Sequence, residues 1–131
     1  MMRGADRWLL PLLARHTALA SGQVRHVFLA ICDHFEPLHH TDEQGALARL
    51  ERWAKDYPRM AARVRDSSNR GPRHTFFYPI EQYDAEQVSR IADICAATGS
   101  EIEVQLHHDG DTETTLIEQI QRGVENLRQH G

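Results

Sequence analysis

Three short apolar segments along the chain are typical of β-strands, since each is rich in β-branched or aromatic residues and ends in polar or turn-forming residues. They span residues 26–32 (HVFLAIC), 74–80 (HTFFYPI) and 101–107 (EIEVQLH). The third segment alternates apolar and polar residues, which predicts a strand with one face covered by other elements and one face open.

A helical pattern of apolar residues follows the first strand. Thr41 and Gln44 form a capping box at its start. Pro58 is expected to break or kink this helix, because proline lacks the backbone N–H that the helix interior needs. Its apolar positions are Leu47, Leu50, Trp53, Ala54 and Tyr57.

The second and third helical patterns are marked at their ends as well. Asp84 is expected to cap the second helix and Gly99 to end it in a left-handed conformation. Asp111 or Thr112 is expected to cap the third helix. The apolar stripes consist of Val88, Ile91, Ala92 and Cys95 in the second helix and of Leu116, Ile117, Ile120, Val124 and Leu127 in the third.

Alternating strands and helices predict one parallel sheet with right-handed crossovers, and therefore an α/β protein of the order βαβαβα. A length of 131 residues and a hydrophobic fraction of 40% suffice for one core of ordinary size. We expect residues 24–131 to form this domain, after an N-terminal helix or leader over residues 1–23.

Composition narrows the range of partners. The net charge of −4, from 15 basic and 19 acidic residues, offers no basic surface for nucleic acid or an anionic membrane. No apolar stretch approaches the roughly 20 residues that a membrane span needs. The apolar run 8–14 follows Asp6 and is cut short by Arg15, which favours an amphipathic helix over an export signal and hence a cytoplasmic protein. The oligomeric state stays open.

The two cysteines, Cys32 and Cys95, lie far apart in apolar segments, so we expect buried, unpaired thiols in a reducing compartment. A nucleophilic Cys32 would need a histidine on its own face of the strand. Because its neighbour Asp33 points to the opposite face, Cys32 is expected to belong to the core.

Candidate chemistry gathers at the ends of the first and third strands, where parallel α/β proteins place their functional groups. Asp33, His34 and Glu36 follow the first strand, and His107 and Asp111 follow the third. A mixture of imidazole and carboxylate ligands suits Zn²⁺, Mn²⁺ or Fe²⁺ better than Ca²⁺. We therefore expect a divalent cation, Zn²⁺ or Mn²⁺, between these two strand ends.

The residue types leave several roles open. Asp33 fits a general base that takes a proton from a metal-bound water, but residues 33–37 also fit a plain polar loop. Asp111 fits a metal ligand or a helix cap equally well. His107 is a better ligand candidate than His108, because strand alternation places it on the face opposite the apolar residues.

These stretches resemble the polysaccharide deacetylases with the NodB homology domain, metal-dependent carbohydrate esterases on a distorted (β/α) barrel. In that family the first strand ends in a TFDD-like motif, the second reads ATFF, and the third runs through HEIxNH into HxxxH. Here AICDHFEP, HTFFYPIEQYD and EIEVQLHHDGDT occur in the same order, and the similarity covers roughly residues 24–128. Each motif is altered.

The resemblance implies roles for individual residues. Asp33 matches the first aspartate of the family, which is the catalytic base, and His107 matches the first histidine of HxxxH. His34 stands where the family has a metal-binding aspartate, and Asp111 stands in for the second histidine. Glu36 is a further ligand candidate, since divergent members place a carboxylate a few residues past the base.

The resemblance also implies the N-terminal part of a barrel, since a complete one takes roughly 200 residues or more. The family's arginine that orients the base, and its general-acid histidine, have no counterpart up to Gly131. The implied activity is removal of N-acetyl groups from a carbohydrate. The alternatives are another metal-dependent hydrolase on a (β/α) barrel, such as a phosphoesterase or amidohydrolase, and an inactive fragment without the C-terminal motifs.

Overall fold

The computed structural model describes residues 27–107 and 109–130, in which a parallel sheet of three strands alternates with three α-helices. The strands are β1 (Ile31–His34), β2 (His74–Pro79) and β3 (Glu101–Gln105), and the helices are α1 (Glu43–Ala61), α2 (Ala85–Thr98) and α3 (Glu113–Arg128). A 3-10 turn, Ile80–Gln82, follows β2. The predicted α/β class and parallel sheet are confirmed. The helix predicted over residues 1–23 lies outside the described residues.

Strand β2 lies in the middle of the sheet, between β1 and β3. The register pairs Asp33 with Phe76 and Phe76 with Ile102, so these three side chains point to the same face. Helices α1 and α2 cover that face. His34 and Phe77 also pair in register and point to the other face.

The core forms between the covered face and the two helices. Phe76 and Tyr78 of β2 have no exposed surface at its centre. The apolar helix residues packed around them are Leu50 and Tyr57 of α1 and Val88, Ile91 and Ile94 of α2. Phe35, just past β1, joins the same cluster and meets Phe76 edge to face with ring centroids 4.9 Å apart.

The first strand is shorter than predicted and lies further along the chain. Strand β2 begins at His74, which pairs with Ile31, so residues 27–29 precede the paired part of the sheet. Val27 and Phe28 are each 93% exposed. Their apolar character alone therefore does not extend the strand, because a strand needs a neighbour to complete its hydrogen bonds.

Helix α1 begins one residue later than the sequence pattern predicts. The N-cap is Asp42, whose carboxylate accepts a hydrogen bond from the Gly45 N–H at 2.9 Å. The prediction of Thr41 as the cap was wrong, since aspartate is the stronger cap and its charge suits the positive end of the helix dipole. Pro58 lies inside α1, which ends within one turn of it at Ala61.

The ends of the other two helices confirm the sequence predictions. Asp84 caps α2 by accepting from the Gln87 N–H, and Gly99 ends that helix with a φ of 71°. Of the two candidate caps for α3, Thr112 takes the position, in a capping box with Thr115. Asp111 is therefore not held in place by capping.

The two cysteines differ in their environments. Cys32 is exposed on the face of the sheet opposite α1 and α2, so the prediction that it belongs to the core was wrong. Strand alternation explains the error, because Ile31 and Asp33 take the covered face. Cys95 is half-buried in α2, and this burial raises the pKa of its thiol to about 11.

Helix α3 packs against the 3-10 turn at Gly123 and against the core cluster at Leu127. Ile117 and Ile120 of its apolar stripe remain 47% and 40% exposed, whereas Gly123 is buried. A Cβ atom at position 123 would stand 2.7 Å from Cγ2 and 2.9 Å from Cβ of Ile80. Close approach of α3 to the 3-10 turn therefore requires glycine at this position.

We expect Gly123→Leu to destabilise the protein by about 1–3 kcal/mol, because a side chain would force α3 away from Ile80. Unfolding in urea, followed by circular dichroism, measures the change. Arg122→Leu is the matched control, since this neighbouring side chain is exposed and the substitution should change stability little. Equal stabilities of the two variants would contradict the packing described for α3.

Candidate functional site

A hydrogen-bonded cluster lies at the carboxyl edge of the sheet and joins all three strand ends. Glu36, two residues past β1, accepts a hydrogen bond from Gln105 Nε2 at 2.8 Å. The same carboxylate oxygen lies 3.2 Å from His107 Nε2. Glu81, in the 3-10 turn after β2, contacts the other ring nitrogen of His107. We call Glu36, Glu81, Gln105 and His107 the edge cluster.

The main chain around Glu36 is held by Arg49 of α1. Its guanidinium donates to the carbonyls of Glu36 at 3.0 Å, Pro37 at 2.7 Å and His39 at 3.1 Å. A planar fork of donors can bind several acceptors at fixed angles, which a lysine cannot do. Arg49 therefore fixes the loop that presents Glu36 to β3.

A buried tyrosine fixes the turn that carries Glu81. The Tyr78 hydroxyl donates to the Gln82 carbonyl at 3.0 Å and accepts from the Asp84 N–H at 3.2 Å. Burial raises the pKa of Tyr78 to about 12, so the hydroxyl keeps its proton and remains a donor at neutral pH. The turn between β2 and α2 is thereby tied to the core.

The edge cluster shifts the pKa values of its own members. The hydrogen bond from Gln105 is the main reason why the pKa of Glu36 is lowered, and His107 and His39 lower it further. The contact with Glu81 is the main reason why the pKa of His107 is raised, and Glu36 adds to it. Each charge of the cluster thus stabilises the opposite charge beside it, relative to the isolated side chains.

Two further histidines lie at the rim of the edge cluster. His39 Nδ1 is 3.3 Å from one carboxylate oxygen of Glu36, and His34 Nδ1 is 3.9 Å from the other. The His34 side chain is 75% exposed. The structure thus brings three residues predicted from the sequence, His34, Glu36 and His107, to one place.

Asp33 has a different neighbour. Its carboxylate lies 3.0 Å from Nε2 of His74, the first residue of β2, on the face of the sheet that the helices cover. Asp33 nevertheless lines the same cleft as Glu36. The cleft has a volume of about 420 Å³, and its other lining residues are His34, Phe35, His39, Arg49 and Trp53.

Asp111 lies in the turn before α3, four residues beyond His107. Its carboxylate accepts a hydrogen bond from Gln119 Nε2 at 2.9 Å, which anchors it to the second turn of that helix. Thr112 and not Asp111 caps the helix. The role of Asp111 as a metal ligand stays a prediction.

The donor types of the edge cluster fit a divalent transition metal, although the side chains now bind one another. His107, Glu36 and Glu81 supply one imidazole in contact with two carboxylates, and these are ligand types that zinc takes in proteins. Over residues 27–107 and 109–130, no three His, Cys, Asp or Glu side chains are arranged to hold an ion as they stand. The chemistry fits, and a bound cation would replace the proton shared between imidazole and carboxylate.

The side-chain amide of Gln105 has one hydrogen-bonded atom and one atom without a described partner. Only 7% of the residue is exposed, and its carbonyl oxygen is a buried acceptor without a hydrogen-bond partner in the described structure. A buried unsatisfied acceptor in a native protein calls for a water, an ion or a ligand group. Gln105 belongs to the candidate site because its side chain contacts both Glu36 and His107.

Sequence reasoning missed Glu81, Gln105, His74 and Arg49 as site residues. Gln105 could have been found from strand alternation, which places it on the His107 face. Glu81 lies at the carboxyl end of the second strand, where the same strand-end rule applies. Arg49 and His74 carry no comparable signal, because their partners lie far away in sequence.

A comparison of the chain with family models, curated proteins and solved structures finds no match. No helix in the described ranges has the length and apolar character that crossing a membrane requires.

We expect Arg49→Lys to destabilise the protein by about 1.5–3 kcal/mol, the usual range for hydrogen bonds to a charged group, because lysine cannot bind all three carbonyls. Urea unfolding measures the loss. Arg52→Lys is the control, since Arg52 is 85% exposed and forms an exposed ion pair with Asp56. Equal effects of the two substitutions would contradict the role of Arg49.

We expect Glu81→Gln to lower the pKa of His107, because it removes the carboxylate that contributes most to the raised value. Titration of the His107 ring by NMR measures the pKa. Since a raised pKa stabilises the fold below the ordinary histidine pKa and the gain is lost as pH rises through the raised value, the variant should lose stability on the acidic side and little at alkaline pH. An unchanged His107 titration would contradict the contact.

Proposed function

We propose that this chain is the site-bearing part of a metal-dependent hydrolase of the polysaccharide deacetylase type, on the N-terminal portion of a distorted (β/α) barrel. One observation carries the proposal: the carboxylate that follows β1 and the imidazole that follows β3 meet at 3.2 Å, although β2 separates the two strands. Metal hydrolases of parallel α/β architecture assemble their ligands at this edge.

The proposed ligands are His107 and Glu36, with Glu81 as a third and His34, His39 and Asp111 as further candidates. A divalent cation, Zn²⁺ or Mn²⁺, would polarise the acetamide carbonyl and lower the pKa of water. The lowered pKa of Glu36 suits this role, since an anionic carboxylate is the form that binds a cation. The raised pKa of His107 means that a proton competes with the metal for the ring.

Asp33 is the proposed general base. It is 44% exposed and shares a cleft with Glu36, which suits a group that meets water without being consumed as a ligand. Asp33 accepts a proton from water, whose oxygen bonds to the acetamide carbonyl carbon. The C–N bond then breaks, the proton held by Asp33 passes to the departing amine, and acetate leaves.

An N-acetylated carbohydrate is the proposed substrate. The cleft combines aromatic side chains, Phe35 and Trp53, with the polar groups of Arg49 and His39. Aromatic rings beside groups that can form hydrogen bonds are found together in small-molecule sites. The choice of carbohydrate within that class rests on the resemblance of the three strand motifs.

We expect the purified chain to bind about one Zn²⁺ or Mn²⁺ and to gain about 2.7 kcal/mol of stability when the free metal exceeds its Kd 100-fold. His107→Ala should abolish the gain, whereas His130→Ala should keep it, since His130 contacts Tyr83 and is not among the proposed ligands. Affinity should rise with pH as His107 loses its proton.

Acetate release from N-acetylated oligosaccharides, with added metal, tests the chemistry. Metal-dependent release that His107→Ala and Asp33→Asn both remove is the expected result. Hydrolysis of a phosphoester with no acetate release would replace the proposal with a phosphoesterase. If the metal neither binds nor stabilises the chain, the metal-dependent reaction is refuted and an inactive fragment remains.

A further inference from the structure

His74 is a buried imidazole in an aromatic box. Only 5% of the residue is exposed. Its ring stacks on Phe76 with centroids 4.3 Å apart, and Trp53 and Tyr57 stand edge-on to it at 5.5 and 5.8 Å. The main chain is anchored as well, because the His74 N–H donates to Ser100 Oγ at 3.0 Å. The ring therefore has a fixed position.

Burial of a polar ring among aromatic residues has a cost unless the ring is hydrogen-bonded. The Nε2 atom meets this requirement through Asp33, whose carboxylate oxygen lies 3.0 Å away. A carboxylate only accepts hydrogen bonds, so Nε2 must carry the proton. The His74 side chain is 6% exposed. The Asp33 side chain is 44% exposed and lines the cleft.

We propose that His74 is a positioning residue for Asp33. It donates from a rigid site to one carboxylate oxygen and thereby turns the other toward the cleft that Glu36 and His39 also line. This inference rests on the proposed function, in which Asp33 is the base.

Packing alone does not account for a histidine at this position. A phenylalanine would stack on Phe76 and fill the box without a polar atom to satisfy, at little cost in volume. The histidine instead places its donor nitrogen toward the half-exposed carboxylate. A purely structural role predicts that removing this donor changes stability only, whereas a positioning role predicts a change in turnover.

The test uses the full chain loaded with Zn²⁺ and three variants. His74→Phe should keep the fold and the metal content, as judged by circular dichroism and metal analysis, yet lower kcat about 10- to 100-fold, the usual effect of losing a residue that orients a functional group. KM should stay unchanged. His74→Gln, whose amide nitrogen reaches a similar position, should restore part of kcat. His130→Phe, at a histidine that contacts Tyr83 and does not line the cleft, should leave kcat unchanged.

A second measurement needs no change at position 74. NMR of ¹⁵N-labelled histidine should show the His74 proton on Nε2, and Asp33→Asn should shift these ring signals. Unprotonated Nε2, or signals that Asp33→Asn leaves unchanged, would overturn the inference. So would a folded His74→Phe with full kcat. If the wild-type chain releases no acetate while the Nε2 proton is present, the proposed function fails and the pair is structural.

Discussion

The arrangement of side chains at the carboxyl edge of the sheet depends on one interaction, the contact of the Glu36 carboxylate with β3 and the segment that follows it. Glu36 follows β1, an outer strand, yet its partners Gln105 and His107 belong to the opposite outer strand and its extension. The carboxylate therefore spans the end of β2. Arg49 makes this span possible, because its guanidinium holds three carbonyls of the loop that carries Glu36.

Asp33 and Glu36 are three residues apart but lie in different surroundings, because Asp33 is still within the alternating strand and Glu36 is past its end. Asp33 is still within β1 and points to the helix-covered face, where His74 and the aromatic box hold it. Glu36 lies past the strand and turns toward the histidines of the open edge. One short segment thus supplies two acids with different partners, and both acids line one cleft.

The parallel sheet and the two ends of α2 were predictable because their causes are local. Asp84 caps the helix that begins next to it, and Gly99 ends that helix by adopting a left-handed conformation that other residues resist. Half of the site was predictable for a related reason, since His34, Glu36 and His107 follow strands that any parallel arrangement brings to one edge. The exposure of Cys32 was not predictable from its apolar segment, because it depends on which face of β1 the helices cover.

The sequence by itself determined the order of strands and helices, both ends of α2, and the set of acids and imidazoles at the strand ends, because these follow from side-chain periodicity and from hydrogen bonds over a few residues. Only the tertiary structure decided the partners: β2 in the middle, Glu36 with His107, and Asp33 with His74 rather than with the edge cluster. The physical reason is that such contacts join residues up to 71 positions apart, and their geometry is set by the register and the packing of the whole sheet.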